Sequence, residues 1–231
     1  MVLSSRSGMY TYAFFKTPKT DLQFEQDGIA GQIEIMGTPT LSALVEPDLD
    51  LDEIQQNDHR LVQAVLTHDR IICDLFWTTA ILPLRFGTWF VSPENLLEHL
   101  ELHQDKYLAK LNQFEGKAEY RLMLMPIDNP PPQLESELRG KEYLLAKKQR
   151  YQQQVDQRTQ QQQELKTVLN AIALAYPNHI LKESQSEGEK LYLLVNREAE
   201  DTLYSRLEGW QNLCSSWELT LGEALPPYHF V

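Results

Sequence analysis

From Glu119 to Leu221 the apolar residues switch between strand spacing and helix spacing, and the order of the switches leaves few folds open. Glu119-Tyr120-Arg121-Leu122-Met123-Leu124-Met125 alternates as a strand does. Asn129-Pro130-Pro131-Pro132 then reads as a stiff polyproline link, and a long or broken helical region runs from Leu134 to about Tyr176, closed by Pro177. Ile180 to Gln185 and Leu191 to Val195 read as strands joined across Glu187-Gly188. Glu198 to Leu213 reads as a helix, with Glu198, Glu200 and Asp201 at the positive end of its dipole and Leu203, Leu207, Trp210 and Leu213 facing inward. Trp217, Leu219 and Leu221 alternate with Glu218 and Thr220 in a last strand. Strand, helix, strand, strand, helix, strand is a ferredoxin-like βαββαβ succession, here with an enlarged first crossover.

The first half is α+β in a different order. Tyr10, Tyr12 and Phe14 alternate with smaller residues, and Gln32 to Met36 and Leu41 to Val45 continue as strands with Gly37 and Pro39 between them. Helical spacing from about Asn57 to Phe76 places Leu61, Val62, Val65, Leu66, Ile72, Leu75 and Phe76 on the buried side, with an interruption expected near His68-Asp69. An extended piece through Leu82 follows, because Pro83 disfavours helix at the residue before it. Ser92-Pro93-Glu94 supplies a serine cap, a proline at the first helical position and an acid in the first turn. It therefore opens one helix, with Leu97, Leu100, Tyr107, Leu111 and Phe114 inward and Gly116 as its end. Since domains usually hold about 100 to 150 residues, a chain of 231 residues predicts two: an N-terminal α+β domain over 1–115 and a ferredoxin-like domain over 116–231, with extended helices at about 134–176.

Charge limits the partners. The net charge is −12, and from Thr20 to His59 there is no lysine or arginine among ten acids, Asp21, Glu25, Asp27, Glu34, Glu46, Asp48, Asp50, Asp52, Glu53 and Asp58. Such a face repels phosphate backbones and anionic membranes, so neither nucleic acid nor membrane is expected as a partner. The most apolar run, Ile71 to Val91, is broken by Asp74, Pro83 and Arg85 and does not read as a membrane span. With no secretion signal at the N-terminus, the cytoplasm is the expected compartment. Cys73 and Cys214 are too few and too far apart for a disulfide framework or a cysteine zinc site.

Candidate chemistry is sparse. His99 and His103 stand one helical turn apart, but Leu100 occupies the position where a zinc protease carries its glutamate. Asp48-Leu49-Asp50-Leu51-Asp52 begins like a calcium loop, yet Glu53 replaces the turn glycine and His59 the closing glutamate. No phosphate loop or nucleophile elbow is present, and no cofactor, metal or catalytic residue is expected. Arg85, between Pro83 and Gly87 in an apolar run, is expected to be a structural tie to a carboxylate. The alternative is an anion clamp in a small enzyme or sensor. Trp77, Trp89 and Phe90 are candidates for an exposed apolar patch. The glutamine-rich stretch Arg150 to Gln163, with Gln153 and Gln161, cannot be buried on all sides and is a candidate for pairing with another helix.

Ile81-Leu82-Pro83-Leu84-Arg85-Phe86-Gly87-Thr88 resembles the central motif of the gas vesicle protein GvpF/GvpL family. Tyr10-Thr11-Tyr12-Ala13 is similar to that family's first strand, and Gly140-Lys141-Glu142-Tyr143-Leu144 with Lys147-Lys148 to its Gly-x-x-Tyr-Leu segment. Leu191-Tyr192-Leu193-Leu194-Val195 is similar to its hairpin strand and Pro226-Pro227-Tyr228-His229-Phe230 to its ending, although Gly222-Glu223-Ala224-Leu225 departs from the family's usual Gly-Pro-Trp before the two prolines. The resemblance implies Pro83, Arg85, Phe86 and Gly87 as the family motif, and a non-enzymatic accessory or minor component located at gas vesicles in the cytoplasm. It further implies a role in vesicle assembly through contact with the small hydrophobic shell protein (GvpA type) and other accessory proteins. Two α+β domains, the second a modified ferredoxin fold, are implied as well.

Overall fold

The computed structural model describes residues 8–19, 26–127, 140–182 and 188–231. It is an α+β chain with two sheets, and its contacts divide it into two units. The first comprises residues up to Glu119 together with Ala224–Val231, and the second is Tyr120–Glu223. The C-terminal tail, expected in the second domain, thus packs with the first.

In the first unit β1 (Met9–Lys16) is the central strand, buried on both faces until Lys16. It pairs antiparallel with β3 (Leu41–Pro47) along its whole length. On its other side it pairs with β4 (Ile81–Pro83) at one end and with β5 (Trp89–Phe90) at the other. β2 (Glu34–Gly37) closes the order β2-β3-β1-β4. The register of β1 against β3 shifts between Thr11 and Ala13, and beside that irregularity the rings of Tyr10 and Tyr12 meet edge to face at 5.0 Å.

Among the described residues, four helices complete this unit. α1 (Leu51–Gln55) is capped by Asp50, whose side chain accepts from the Glu53 amide, so the acidic run that began like a calcium loop serves as a helix start. α2 (Asp58–Thr78) is capped by Asn57 and runs unbroken through His68-Asp69. Its inner face is Ala64, His68, Ile71, Ile72, Leu75 and Phe76, while Val62, Val65 and Leu66, expected inside, face outward. The four large residues of the second half fix the rotation of the helix. At about 100° per residue, that rotation carries Val62 and Leu66 well away from the His68 direction, whereas Val65, seven residues before Ile72, shares its side and sits at the margin of the buried face. Ser92 caps α3 (Pro93–Leu102) as its sequence predicts. The single helix expected beyond it is two, because His103 leaves helical dihedrals at φ −105° and α4 (Gln104–Phe114) starts anew. Leu96, not Leu97, joins Leu100, Leu111 and Phe114 in the core.

In the second unit β6 (Lys117–Pro126) buries Tyr120, Leu122 and Leu124. α5 (Gly140–Ala175) is one continuous helix of 36 residues, and β7 (Ile180–Lys182) pairs antiparallel with β8 (Glu189–Asn196). A short 3₁₀ turn leads into α6 (Glu200–Gln211), which buries Leu203 and Trp210. Leu213 lies beyond its end and is exposed, contrary to expectation. β9 (Trp217–Leu225) completes the order β7-β8-β6-β9. The polyproline link, the stretch expected as helix from Leu134 to 139, and the end of the strand expected to reach Gln185 lie outside the described residues. No helix among the described residues is long and apolar enough to cross a membrane.

Candidate functional site

The Arg85 turn is built by β1. Strands β4 and β5 both pair with β1, so the chain between them, residues 84–88, must arch away and return within a few ångströms. The Leu84 amide donates to the Tyr12 carbonyl at 2.9 Å and the Thr11 amide to the Thr88 carbonyl at 3.0 Å, which pins both feet of the arch. Inside it, the Thr88 amide and hydroxyl both donate to the Arg85 carbonyl, at 3.1 and 2.7 Å. Gly87 sits at φ +88°, where L side chains are strained, while a Cβ there would meet nothing within 4 Å. The glycine is needed for its dihedral and not for space.

His68 of α2 braces this arch from below. Its Nε2 lies 3.1 Å from the Leu84 carbonyl, which can only accept, so Nε2 carries the proton and Nδ1 accepts from the Tyr10 hydroxyl at 2.8 Å. The Tyr10 oxygen in turn accepts from the Gly87 amide at 3.4 Å. Tyr12 stacks on the imidazole, with ring centres 5.3 Å apart, and Phe86 meets it edge-on at 5.6 Å. Burial holds the His68 pKa below its usual value, against the raising effects of the Leu84 carbonyl and Asp69.

The brace continues to Glu46 on β3, which is fully buried. The Tyr12 hydroxyl donates to one of its carboxylate oxygens. The amides of Ile29, Ala30 and Gly31 donate to the carboxylate at 2.7, 2.7 and 2.6 Å, a nest of backbone donors that replaces water. Gly28 permits the approach, because a Cβ there would lie 2.2 Å from a Glu46 oxygen. Burial and the Glu46 hydrogen bond raise the Tyr12 pKa far above the ordinary phenol range, so Tyr12 is a permanent donor.

A second buried carboxylate holds the tail. Glu119 accepts from the His229 amide at 2.8 Å and lies 2.6 Å from its Nδ1. Tyr228 donates to Asp69 at 2.5 Å, and Lys110 donates to the Phe230 carbonyl at 2.6 Å. The residues that resemble the family's ending are therefore a clamp on α2, α4 and the start of β6.

The candidate residues separate as follows. Arg85 itself is exposed, and among the described residues its side chain enters no ion pair, which corrects the expected buried tie. Its backbone is structural; its guanidinium is presented. The groups that an anion beside it would use, the Gly87 and Thr88 amides and the Thr88 hydroxyl, are committed within the arch. Arg85→Ala is accordingly expected to change stability by no more than about 0.5 kcal/mol, measured by urea unfolding; a loss of several kcal/mol would show that the side chain ties the turn after all.

Trp77 is exposed on α2, whereas Trp89 and Phe90 are half-buried in β5. Gln153 is exposed on α5. Gln161 is engaged in its own unit, its side-chain amide donating to the Ser216 main-chain carbonyl at 3.3 Å and its own main-chain carbonyl accepting from the Trp217 indole at 2.9 Å. His99 bonds Tyr107 at 2.8 Å and packs against Phe14, Phe90 and His103 in an aromatic cluster. No group of three or more metal-ligating side chains occurs among the described residues. Both cysteines are free, and burial pushes both thiols up, away from nucleophilic character. Sequence reasoning missed His68, Glu46 and Glu119. The available signal was an acid placed directly after the apolar run Leu41 to Val45, and another between Ala118 and Tyr120.

The geometry thus defines an α+β chain whose best-organised polar groups brace loops, and that fold is shared with gas vesicle proteins of known structure. The crystal structure of the gas vesicle protein GvpF from Anabaena sp. PCC7120 is similar at a TM-score of 0.71 and 14% identity, over 97% of this chain and 98% of that one. GvpF from Microcystis aeruginosa is similar at a TM-score of 0.68 and 15% identity, over the same shares. Residues 8–231 match the family described as gas vesicle synthesis protein GvpL/GvpF, and the chain belongs to that family. No match is found among curated proteins.

Proposed function

We propose that the chain is a gas vesicle accessory or minor structural protein that takes part in vesicle assembly. In this reading it contacts the hydrophobic shell protein of the GvpA type and other accessory proteins, at gas vesicles in the cytoplasm. The observation that carries the reading is a family match extending over residues 8–231. The role is non-enzymatic: around Arg85 the hydroxyl, imidazole and carboxylate groups bond one another, which suits a rigid presentation surface better than chemistry. We read the second unit as a modified ferredoxin-like fold, a reading supported by its strand order β7-β8-β6-β9.

Pro83, Phe86 and Gly87 hold the arch, and Arg85 with Trp77, Trp89 and Phe90 offers a surface to the shell protein, while Gln153 belongs to a second surface on α5. An acidic chain that covers apolar strands or a helix face of a shell subunit keeps those subunits from aggregating before they assemble. Co-expression with the small shell protein, followed by affinity capture over a range of salt, is expected to recover both proteins. Trp77→Asp should reduce the recovery. Absence of the shell protein from the captured material at every salt concentration would remove this reading.

A further inference from the structure

Two exposed helix faces among the described residues carry opposite charge. On α5 the hydrogen bonds made by residues 140–160 to other described residues stay within the helix, joining Gln152 to Asp156, Thr159 to Val155 and Gln160 to Glu164. Leu144, Tyr151 and Val155 there are 65%, 68% and 39% exposed. Their spacings of seven and four put them on one face, and Lys147, Lys148 and Arg158 stand three, four or seven residues from them on the same side. Lys141 and Arg150 add to these, against only Glu142 and Asp156, in a chain whose net charge is −12.

On α2 the outward residues Val62, Val65 and Leu66 are 56%, 42% and 59% exposed. Asp58 lies four residues before Val62 on the same face, and α1 adds Asp52. Asp69, seven after Val62, already accepts from Tyr228, and Glu53 is paired with Arg60. Arg70, four residues after Leu66, is the one cation beside the apolar trio.

We propose that this basic arm of α5 in one copy docks on the acidic outer face of α2 in a second copy of the chain. Aliphatic and aromatic side chains meet along the centre, and lysines meet aspartates along the rims. The charges select this pairing: arm on arm would oppose Lys147 and Lys148 to themselves, and α2 on α2 would oppose Asp52 and Asp58 to themselves. The contact is heterologous, so two copies either exchange arms reciprocally or extend the assembly. It is independent of the shell-protein reading, since it requires no other protein.

Sedimentation velocity of the full chain over a concentration series tests it. The average mass is expected to rise above the monomer's with concentration, and to fall back as salt screens the rims. Lys147→Glu with Lys148→Glu should leave a monomer, as should Asp52→Lys with Asp58→Lys; all four positions are exposed, and circular dichroism checks the fold of each variant. An equimolar mixture of the two variants should associate again, because each surface then finds its opposite. A wild-type monomer at every concentration, association indifferent to either reversal, or a mixture that stays monomeric would overturn the proposal.

Discussion

Glu46→Ala is expected to destabilise the first unit by about 3 kcal/mol, the largest loss foreseen for any single polar side chain here. The carboxylate accepts from three backbone amides and the Tyr12 hydroxyl, and its removal orphans all four donors. Ala30 and Gly31 are exposed and can turn to water, so the cost concentrates on Tyr12, which is fully buried. Glu46→Gln should rescue little, because its NH₂ group would face N–H donors where an oxygen now stands. Urea unfolding of the variants measures this, with hydrogen exchange at β1 amides to assign the loss to the first unit. A change below about 1 kcal/mol in both variants would mean that the nest reorganises freely around water.

Acid should loosen the same region through His68. Its folded pKa lies below the ordinary 6.5, because burial disfavours the imidazolium. The unfolded chain therefore binds a proton that the folded chain excludes once the pH drops below about 6.5. Stability is whole at neutral pH and declines as pH falls from there towards the folded pKa, with a limiting slope of about 1.4 kcal/mol per pH unit for one proton. His99, also lowered by burial and by His103, acts in the same direction. Comparison with His68→Gln isolates the His68 share: the variant should be less stable at pH 7 and show a shallower decline between pH 6.5 and 5.5. Parallel slopes in the two proteins would refute the assignment.

Much of this molecule was readable in advance because its elements are locally specified. The Ser92 cap with Pro93, the alternation in β6, β8 and β9, and the glycine of the Arg85 arch each express a preference confined to a few neighbouring residues. Rotation of α2 was not readable, because the helix carries apolar residues on two sides and only packing beneath β1 chooses between Ala64 with His68 and Val62 with Leu66. The exposure of Arg85 is hidden from the sequence for a related reason. A cation in an apolar run reads as buried, yet an arch between two strands that share one neighbour turns its tip to solvent and buries the residues at its feet.

By itself, then, the sequence determined the α+β class, the succession of elements and the family, since these depend on short-range periodicity and on motifs kept in order along the chain. Tertiary structure alone decided which polar groups are buried together. Tyr12 meets Glu46 across 34 positions and His229 meets Glu119 across 110. Nothing local distinguishes those acids from the many exposed ones in so acidic a chain; their burial is settled only where strand pairing and the returning tail bring donors to them.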